Sequence, residues 1–184
     1  MTVDIVARAK GLLMDPQKEW RIIAGEPADT AGLFKDYVMI LAAVPAVAGL
    51  LGALIMSLGR MSVVSLLVSA VLGYVLALVG IFVLAKIIEM LAPRFGGPAD
   101  STAAIKLAAY APTASWVGGA AMIIPWIGWI GALLGGIYSL YLFYVGTPTV
   151  MRIPPDRVMP FAISVVVVAI LVNILIGTII AIIV

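Results

Sequence analysis

The sequence predicts an all-α polytopic membrane protein: short amphipathic cytoplasmic helices, then five transmembrane helices, in an N-in/C-out arrangement. Of its 184 residues, 64% are hydrophobic and 11% are charged, whereas about 25% are charged in a soluble domain. Long runs without a charged residue follow Asp36. Because 11 basic and 9 acidic side chains are too few to cover a soluble domain of this size, the composition excludes a soluble globular protein and a disordered chain.

Residues 1–36 form the predicted cytoplasmic segment and carry more than half of the charged residues. Apolar residues recur there at near-helical spacing between charged ones. Asp15 followed by Pro16 predicts the start of a second helix, and Gly25 with Pro27 predicts its end. These helices would either lie against the inner membrane interface or pack on the cytoplasmic ends of the spans, and both arrangements could hold together.

The remainder, residues 37–184, is the predicted transmembrane domain. About 20 apolar residues cross the hydrocarbon core as a helix, and the charge-free run 107–151 is too long for one crossing. Pro125 lies near its middle beside Trp126, so we divide the run there, because proline ends a helix and tryptophan favours the interface. The predicted spans are approximately 37–58, 62–85, 107–124, 126–146 and 160–184.

The distribution of Lys and Arg predicts the orientation. If the N-terminus is cytoplasmic, ten of the 11 basic residues lie on the cytoplasmic side and only Arg60 lies on the other. Basic loops stay on the cytoplasmic side of inner membranes. The C-terminus is therefore predicted on the outer side.

The composition argues against several kinds of chemistry. The chain has no Cys and no His, which removes the thiolate and imidazole ligands and the commonest general base. No carboxylate pair lies within a span, and no glycine-rich phosphate loop is present. The net charge of +2 is too small to indicate nucleic acid binding. We expect no enzymatic activity, no catalytic residues, no cofactor and no metal site.

Charged side chains border the predicted cytoplasmic ends of the spans, and we take them as a candidate interaction face. The expected partners are membrane lipids, in particular anionic headgroups, or a cytoplasmic or membrane protein. The alternative is that these charges only determine topology; for Lys86 and Glu89, three apart on one helix face, it is an interfacial pair reaching water. The candidates are Lys86, Glu89, Arg94, Lys106, Arg152, Asp156 and Arg157.

A second set of residues is a candidate for helix packing. Gly131, Gly135 and Ser139 recur every four residues on the fourth span, and small residues let helix backbones approach closely in lipid. The partner face belongs either to another helix of the same chain or to a second copy in a homo-oligomer. Tyr110 and Pro112 make the third span irregular, and a broken helix can also line a transport path.

The order of short motifs along the chain resembles the bacterial branch of the Yip (Ypt-interacting protein) domain family. These motifs are Pro16…Trp20…Ile23…Glu26-Pro27, Arg94-Phe95-Gly96-Gly97, Tyr110-Ala111-Pro112, Ile124-Pro125-Trp126-Ile127-Gly128, Tyr138-Ser139-Leu140-Tyr141-Leu142, Gly146-Thr147-Pro148 and Pro155-Asp156-Arg157. The resemblance implies five spans, a cytoplasmic N-terminus and a C-terminus on the far side.

Eukaryotic members of that family are linked to Rab-type GTPases and carry an Asp-Leu-Tyr-Gly-Pro motif before the first span. Residues 32–37 of this chain read Gly-Leu-Phe-Lys-Asp-Tyr instead, so the resemblance does not extend to that motif. For the bacterial branch the resemblance implies no particular biochemical activity.

The most consistent interpretation is an integral protein of a bacterial inner membrane that acts as a non-enzymatic scaffold, adaptor or membrane-organising protein. The alternative is a small transporter or channel with a pathway between the helices. A water-filled cavity that reaches the middle of the bilayer would favour the alternative.

Overall fold

The structure, a computed structural model, describes residues 4–27, 29–57 and 62–183, and their side chains except at residue 173 and residues 175–183. These residues form helices and connecting turns without a β-strand. Arg60 and Val184, which the sequence places on the outer side, lie outside the described residues. The α-helices are α1 Ile5–Met14, α2 Pro16–Gly25, α3 Thr30–Leu33, α4 Met39–Ser57, α5 Val63–Leu91, α6 Ser101–Tyr110, α7 Thr113–Gly119, α8 Gly128–Val150 and α9 Val158–Ile183.

Helices α1 and α2 begin at aspartates, as helix N-termini commonly do. The Asp4 carboxylate accepts hydrogen bonds from the backbone of Val6 and Ala7, each at 3.1 Å. Asp15 accepts from the backbone of Lys18 at 3.2 Å, and Pro16 occupies the first helical position. The predicted start of α2 and its predicted end at Gly25 are both confirmed.

The two N-terminal helices pack against the bundle. Trp20 and Ile23 are fully buried, and the indole of Trp20 lies against Gly146, where a Cβ atom would be only 2.5 Å from Cε2. The Tyr138 hydroxyl donates to the carbonyl of Leu13 at 2.9 Å. Packing on the long helices is one of the two arrangements that the sequence left open; α2 meets α8 near its end at Gly146, whereas α1 reaches Tyr138 near the middle of α8. The other arrangement, contact with the membrane interface, stays a prediction. The apolar side chain of Met14, at the end of α1, is 77% exposed.

Four segments among the described residues are long and apolar enough to cross a membrane: Thr30–Ser57, Val63–Phe95, Gly128–Val150 and Pro155–Val172. They correspond to four of the five predicted spans. The helices extend past the predicted span ends at 85 and 146, since α5 continues to Leu91 and α8 continues through Pro148 to Val150. The hydroxyl of Thr147 donates to the carbonyl of Phe143 at 2.7 Å, and such side-chain bonds help a membrane helix to accommodate proline.

The predicted third span, 107–124, is not one continuous helix, which agrees with the irregularity that Tyr110 and Pro112 predict. Helix α6 ends at Tyr110, α7 begins at Thr113, and a 3-10 turn at Ala120–Ile123 follows. Pro112 explains the break, because proline has no N–H to continue the helical hydrogen bonds. The Thr113 hydroxyl donates to the buried carbonyl of Tyr110 at 2.6 Å and so satisfies that acceptor.

The broken segment nevertheless runs beside two long helices. A Cβ atom at Gly119 would lie 2.6 Å from the Pro45 ring of α4, and one at Gly52 would overlap the carbonyl of Met122. Gly118 and Gly131 approach equally closely, so α7 and α8 run antiparallel. Helix α5 packs on α4, α6 and α9, and residues 103–110 of α6 are buried on all sides. The segment therefore lies inside the bundle and follows the direction of α4.

Candidate functional site

The segments that carry the basic residues meet at one end of the bundle. The ammonium group of Lys106 bonds to the carbonyl of Ile23 at 2.8 Å, which joins α6 to α2. The loop after α5 packs on the loop after α8, since a Cβ atom at Gly97 would lie 2.5 Å from Cδ1 of Ile153. Ten of the 11 Lys and Arg residues are described, and all belong to these segments, to α1, which Arg8 joins to α2 through Glu19, to the end of α5 or to the chain that enters α4. The Pro125 turn lies at the opposite end of α8.

The loop after α5 and the loop after α8 pack against each other and form the exposed surface of this basic end. Gly96 has a φ of 85°, a backbone conformation that glycine adopts without strain, and its Cα faces the ring of Pro154. The rings of Phe95 and Phe161 meet edge to face, with centroids 5.5 Å apart. These contacts therefore hold the two loops together. We call the exposed charged residues that they carry the rim: Arg94, Arg152, Asp156 and Arg157.

The rim arginines are largely free of protein partners in the described chain. The closest carboxylate to Arg157 is that of Asp156, at 3.8 Å, and both side chains are exposed. An exposed pair at this distance contributes little to stability. Arg152 has a φ of 53°, which is uncommon for a residue with a side chain. The rim thus presents exposed positive charge, and the contacts between the two loops hold its backbone in place.

Lys86 and Glu89 lie apart from the rim on the last turns of α5. Their charged groups are 2.7 Å apart, and the Lys86 side chain is 70% exposed. The shared helix face that the spacing predicted is confirmed. Both the interfacial pair and the partner-binding reading fit this geometry.

Lys106 was expected at the interaction face, but it is buried, and that expectation is wrong. Its ammonium group donates to the carbonyls of Ile23 and Glu26, where α2 ends. Unpaired carbonyls at a helix C-terminus attract a cation. Lys106 is therefore a structural group that fixes α2 to α6.

The sequence did not predict that a second cation, Arg8, is buried. Its guanidinium group contacts the carboxylates of Glu19 and Glu26, each at 2.6 Å, and lies 5.7 Å from the ring centre of Tyr110. Burial lowers the pKa of Arg8, but the hydrogen bond and the charge of Glu26 outweigh this effect and raise it. The spacing of 11 and 18 residues between Arg8 and its partners reflects how α1 folds back on α2, which no local sequence pattern encodes.

Tyr110 and Pro112 both lie where α6 ends. The ring of Tyr110 is buried against Tyr37, with centroids 4.6 Å apart, and against Trp20 at 6.4 Å. The Thr113 hydroxyl uses its proton on the Tyr110 carbonyl and accepts from the Tyr37 hydroxyl at 2.7 Å. Aromatic packing and hydrogen bonds therefore anchor the break in the helix.

Gly131, Gly135 and Ser139 line the face of α8 that lies against α7. A Cβ atom at Gly131 would lie 2.5 Å from that of Ala121, and one at Gly135 would overlap the carbonyl of Ala114. The hydroxyl of Ser139 accepts from the backbone of Ser115 at 2.9 Å. The structure thus places these small residues against another helix of the same chain.

An apolar cavity of about 620 Å³ lies beside the break, between α5, α8 and α9. Pro112 belongs to its wall, and apart from Ser115 and Ser139 the described residues that line it are apolar or glycine. Two edge residues, Leu140 and Ile170, are about half exposed, so the cavity opens sideways. It does not resemble the polar path that a transported ion or polar solute requires.

The described residues also contain no group of three or more acidic, His or Cys side chains that could hold a metal ion. Cys and His are absent from the whole chain. The rim offers exposed charge, and the cavity offers an apolar lining.

Comparison with known proteins identifies the family. The Yip1 domain matches residues 10–176, so the chain belongs to the Yip1 domain family. It is 25% identical over 172 residues to the inner membrane protein YohC of Escherichia coli K12, covering 88% of each chain, and equally similar to YohC of Escherichia coli O6:H1. No solved structure matches the chain.

Proposed function

We propose that this member of the Yip1 domain family is a non-enzymatic membrane scaffold or adaptor whose rim binds anionic lipid headgroups. The single observation that carries the proposal is the rim itself. Arg94, Arg152 and Arg157 are exposed on two loops that Gly96 and Gly97 allow to interlock. A surface fixed in this way loses little conformational entropy when it binds.

The proposal includes a location and an orientation. The E. coli relatives are named as inner membrane proteins, and we place this chain in a bacterial inner membrane. The basic end faces the cytoplasm, since basic segments stay on that side. The α6–α7 segment would supply the fifth crossing, because it follows the direction of α4 inside the bundle.

Lipid headgroups fit the rim better than a transported solute fits the cavity. Each basic residue near an anionic membrane surface contributes about 1 kcal/mol to binding. Two arginines together would therefore change the affinity for anionic lipid by about 30-fold at low salt. The apolar lining of the cavity gives no support to the transporter alternative.

The test compares two double variants, each of which loses two positive charges, so that their net charges are equal. Arg152→Gln combined with Arg157→Gln removes two rim charges, and Lys18→Gln combined with Arg21→Gln removes two exposed charges from α2. Binding of phosphatidylglycerol to the detergent-purified proteins is measured by native mass spectrometry at two salt concentrations. We expect the rim variant to lose most of the binding and the α2 variant to keep most of it.

A cytoplasmic protein partner would give a different result. The rim variant would then keep its affinity for phosphatidylglycerol but lose a specific partner in a pull-down from native membranes. That outcome would replace the lipid by a protein as the ligand of the rim. If both properties were unchanged in a correctly inserted variant, the rim would only determine topology and the proposal would be wrong.

A further inference from the structure

We propose that the apolar cavity holds one acyl chain of the anionic phospholipid whose headgroup lies on the rim. The inference rests on the proposed function and adds the class of ligand, a two-part molecule with an anionic head and a long hydrocarbon chain. Three properties of the cavity carry it: its depth below the rim, its apolar lining and its lateral opening.

The depth of the cavity suits an acyl chain. On α8, Phe143 lines the cavity and precedes Arg152 by nine residues; on α9, Val165 lines it and follows Arg157 by eight. At 1.5 Å per helical residue, the near end of the cavity is roughly 12–14 Å from the rim. Hydrocarbon extends about 15 Å from the interface to the middle of a bilayer. A lipid with its phosphate at the rim would therefore place the middle of its chain at the cavity.

The lining and the opening exclude other kinds of occupant. Water would find few partners, because Ser139 already accepts from the backbone of Ser115 and, apart from the hydroxyls of these two serines, the described lining is apolar or glycine. An empty cavity would leave these side chains without dispersion contacts. Leu140 and Ile170 flank an opening that faces sideways from helices that cross the membrane. Hydrocarbon chains are the molecules present there.

A single lipid molecule would bind both the rim and the cavity. Phe161 lies between the rim and the cavity, stacked on Phe143 with centroids 6.2 Å apart and touching Phe95. These rings occupy the space on the rim side of the cavity, and a chain would enter the cavity from the side, where Leu140 and Ile170 are exposed. Because the headgroup and the chain are covalently linked, binding of one raises the effective concentration of the other.

Gly136 offers a direct way to fill the cavity. It lines the cavity, and a Cβ atom there would meet no other atom within 4 Å. Gly136→Leu should therefore project into the cavity and obstruct it without disturbing the packing. Gly73 on α5 has equally open surroundings and does not line the cavity, so Gly73→Leu is the matched control. Gly136→Ala, which is too small to fill the space, is a second control.

The experiment measures binding of dioleoyl and dihexanoyl phosphatidylglycerol, and of dioleoyl phosphatidylcholine, to the full-length protein in detergent. We expect wild type, Gly73→Leu and Gly136→Ala to bind the long-chain phosphatidylglycerol more tightly than the short-chain one. Gly136→Leu should lose this chain-length preference and keep its preference for phosphatidylglycerol over phosphatidylcholine. Thermal stability in the same detergent verifies that each variant is folded.

The outcomes separate the two proposals. If Gly136→Leu is folded and keeps the chain-length preference of wild type, the cavity does not hold the chain and this inference is wrong, while the proposed function stands. If wild type binds phosphatidylglycerol and phosphatidylcholine equally but Gly136→Leu loses the chain-length preference, the cavity binds chains and the anionic headgroup is wrong. That second result overturns the proposed function as well.

Discussion

Gly135 and Gly136 are neighbours on α8 that face different surroundings, and exchanging each for alanine tests the helix packing. A Cβ atom at Gly135 would overlap the carbonyl of Ala114 and lie 3.1 Å from Cα of Ser115, whereas one at Gly136 would meet nothing within 4 Å. Both contacts of Gly135 are with the backbone of α7, which cannot move aside as a flexible side chain can.

The two substitutions share every contribution except this contact. Alanine in place of glycine stabilises a helix interior by about 0.5–1 kcal/mol at either position. Overpacking at a close contact costs about 1–3 kcal/mol. We therefore expect Gly136→Ala to be neutral or slightly stabilising, and Gly135→Ala to be about 1–3 kcal/mol less stable than Gly136→Ala.

Unfolding by dodecyl sulfate in mixed micelles, followed by tryptophan fluorescence, measures the difference. The same comparison with leucine should widen it, because a larger side chain forces the backbones further apart. Equal stability of Gly135→Ala and Gly136→Ala would refute the close approach of α7 and α8. It would also remove the reason for assigning Gly131 and Ser139 to the same contact.

Two further predictions concern the N-terminal helices and the orientation. Arg8→Met should lower the free energy of unfolding by about 1–3 kcal/mol, because it leaves the partly buried carboxylate of Glu19 and the more exposed one of Glu26 unpaired; exposed Lys10 changed to Met should have little effect in the same assay. Single cysteines at Gly25 and Ala99, both exposed, should be shielded from a membrane-impermeant thiol reagent in intact cells, whereas one at Gly59, outside the described residues, should react. Labelling at Ala99 without labelling at Gly59 would reverse the orientation.

Much of the fold follows from local patterns in the sequence. Long apolar runs predict four of the membrane-crossing helices, since the bilayer sets their length. Asp15 and Pro16 predict the start of α2, because capping depends on residues adjacent in the chain. The alternation of basic and neutral loops places the basic segments together, and in the structure they occupy one end of the bundle.

What the sequence did not predict depends on contacts between distant residues. Lys106 lies at the predicted end of a span, where a lysine is expected to reach water. Its ammonium group instead bonds to the carbonyls at the C-terminus of α2. Arg8 is paired by the return of α1 along α2. Pro112 predicts an irregular third span, but it does not predict which distant residues hold the break in place. The break is sustained by Tyr37 and Thr113, which are 76 residues apart.

The most direct test of the central claim is the affinity of the purified wild-type protein for phosphatidylglycerol and phosphatidylcholine, measured at low and high salt. Exposed Arg94, Arg152 and Arg157 should bind the anionic headgroup by charge, and salt screens such exposed charges. The account predicts tighter binding of phosphatidylglycerol at low salt and a preference that falls as salt is raised. Equal affinity for the two lipids at both salt concentrations would contradict it.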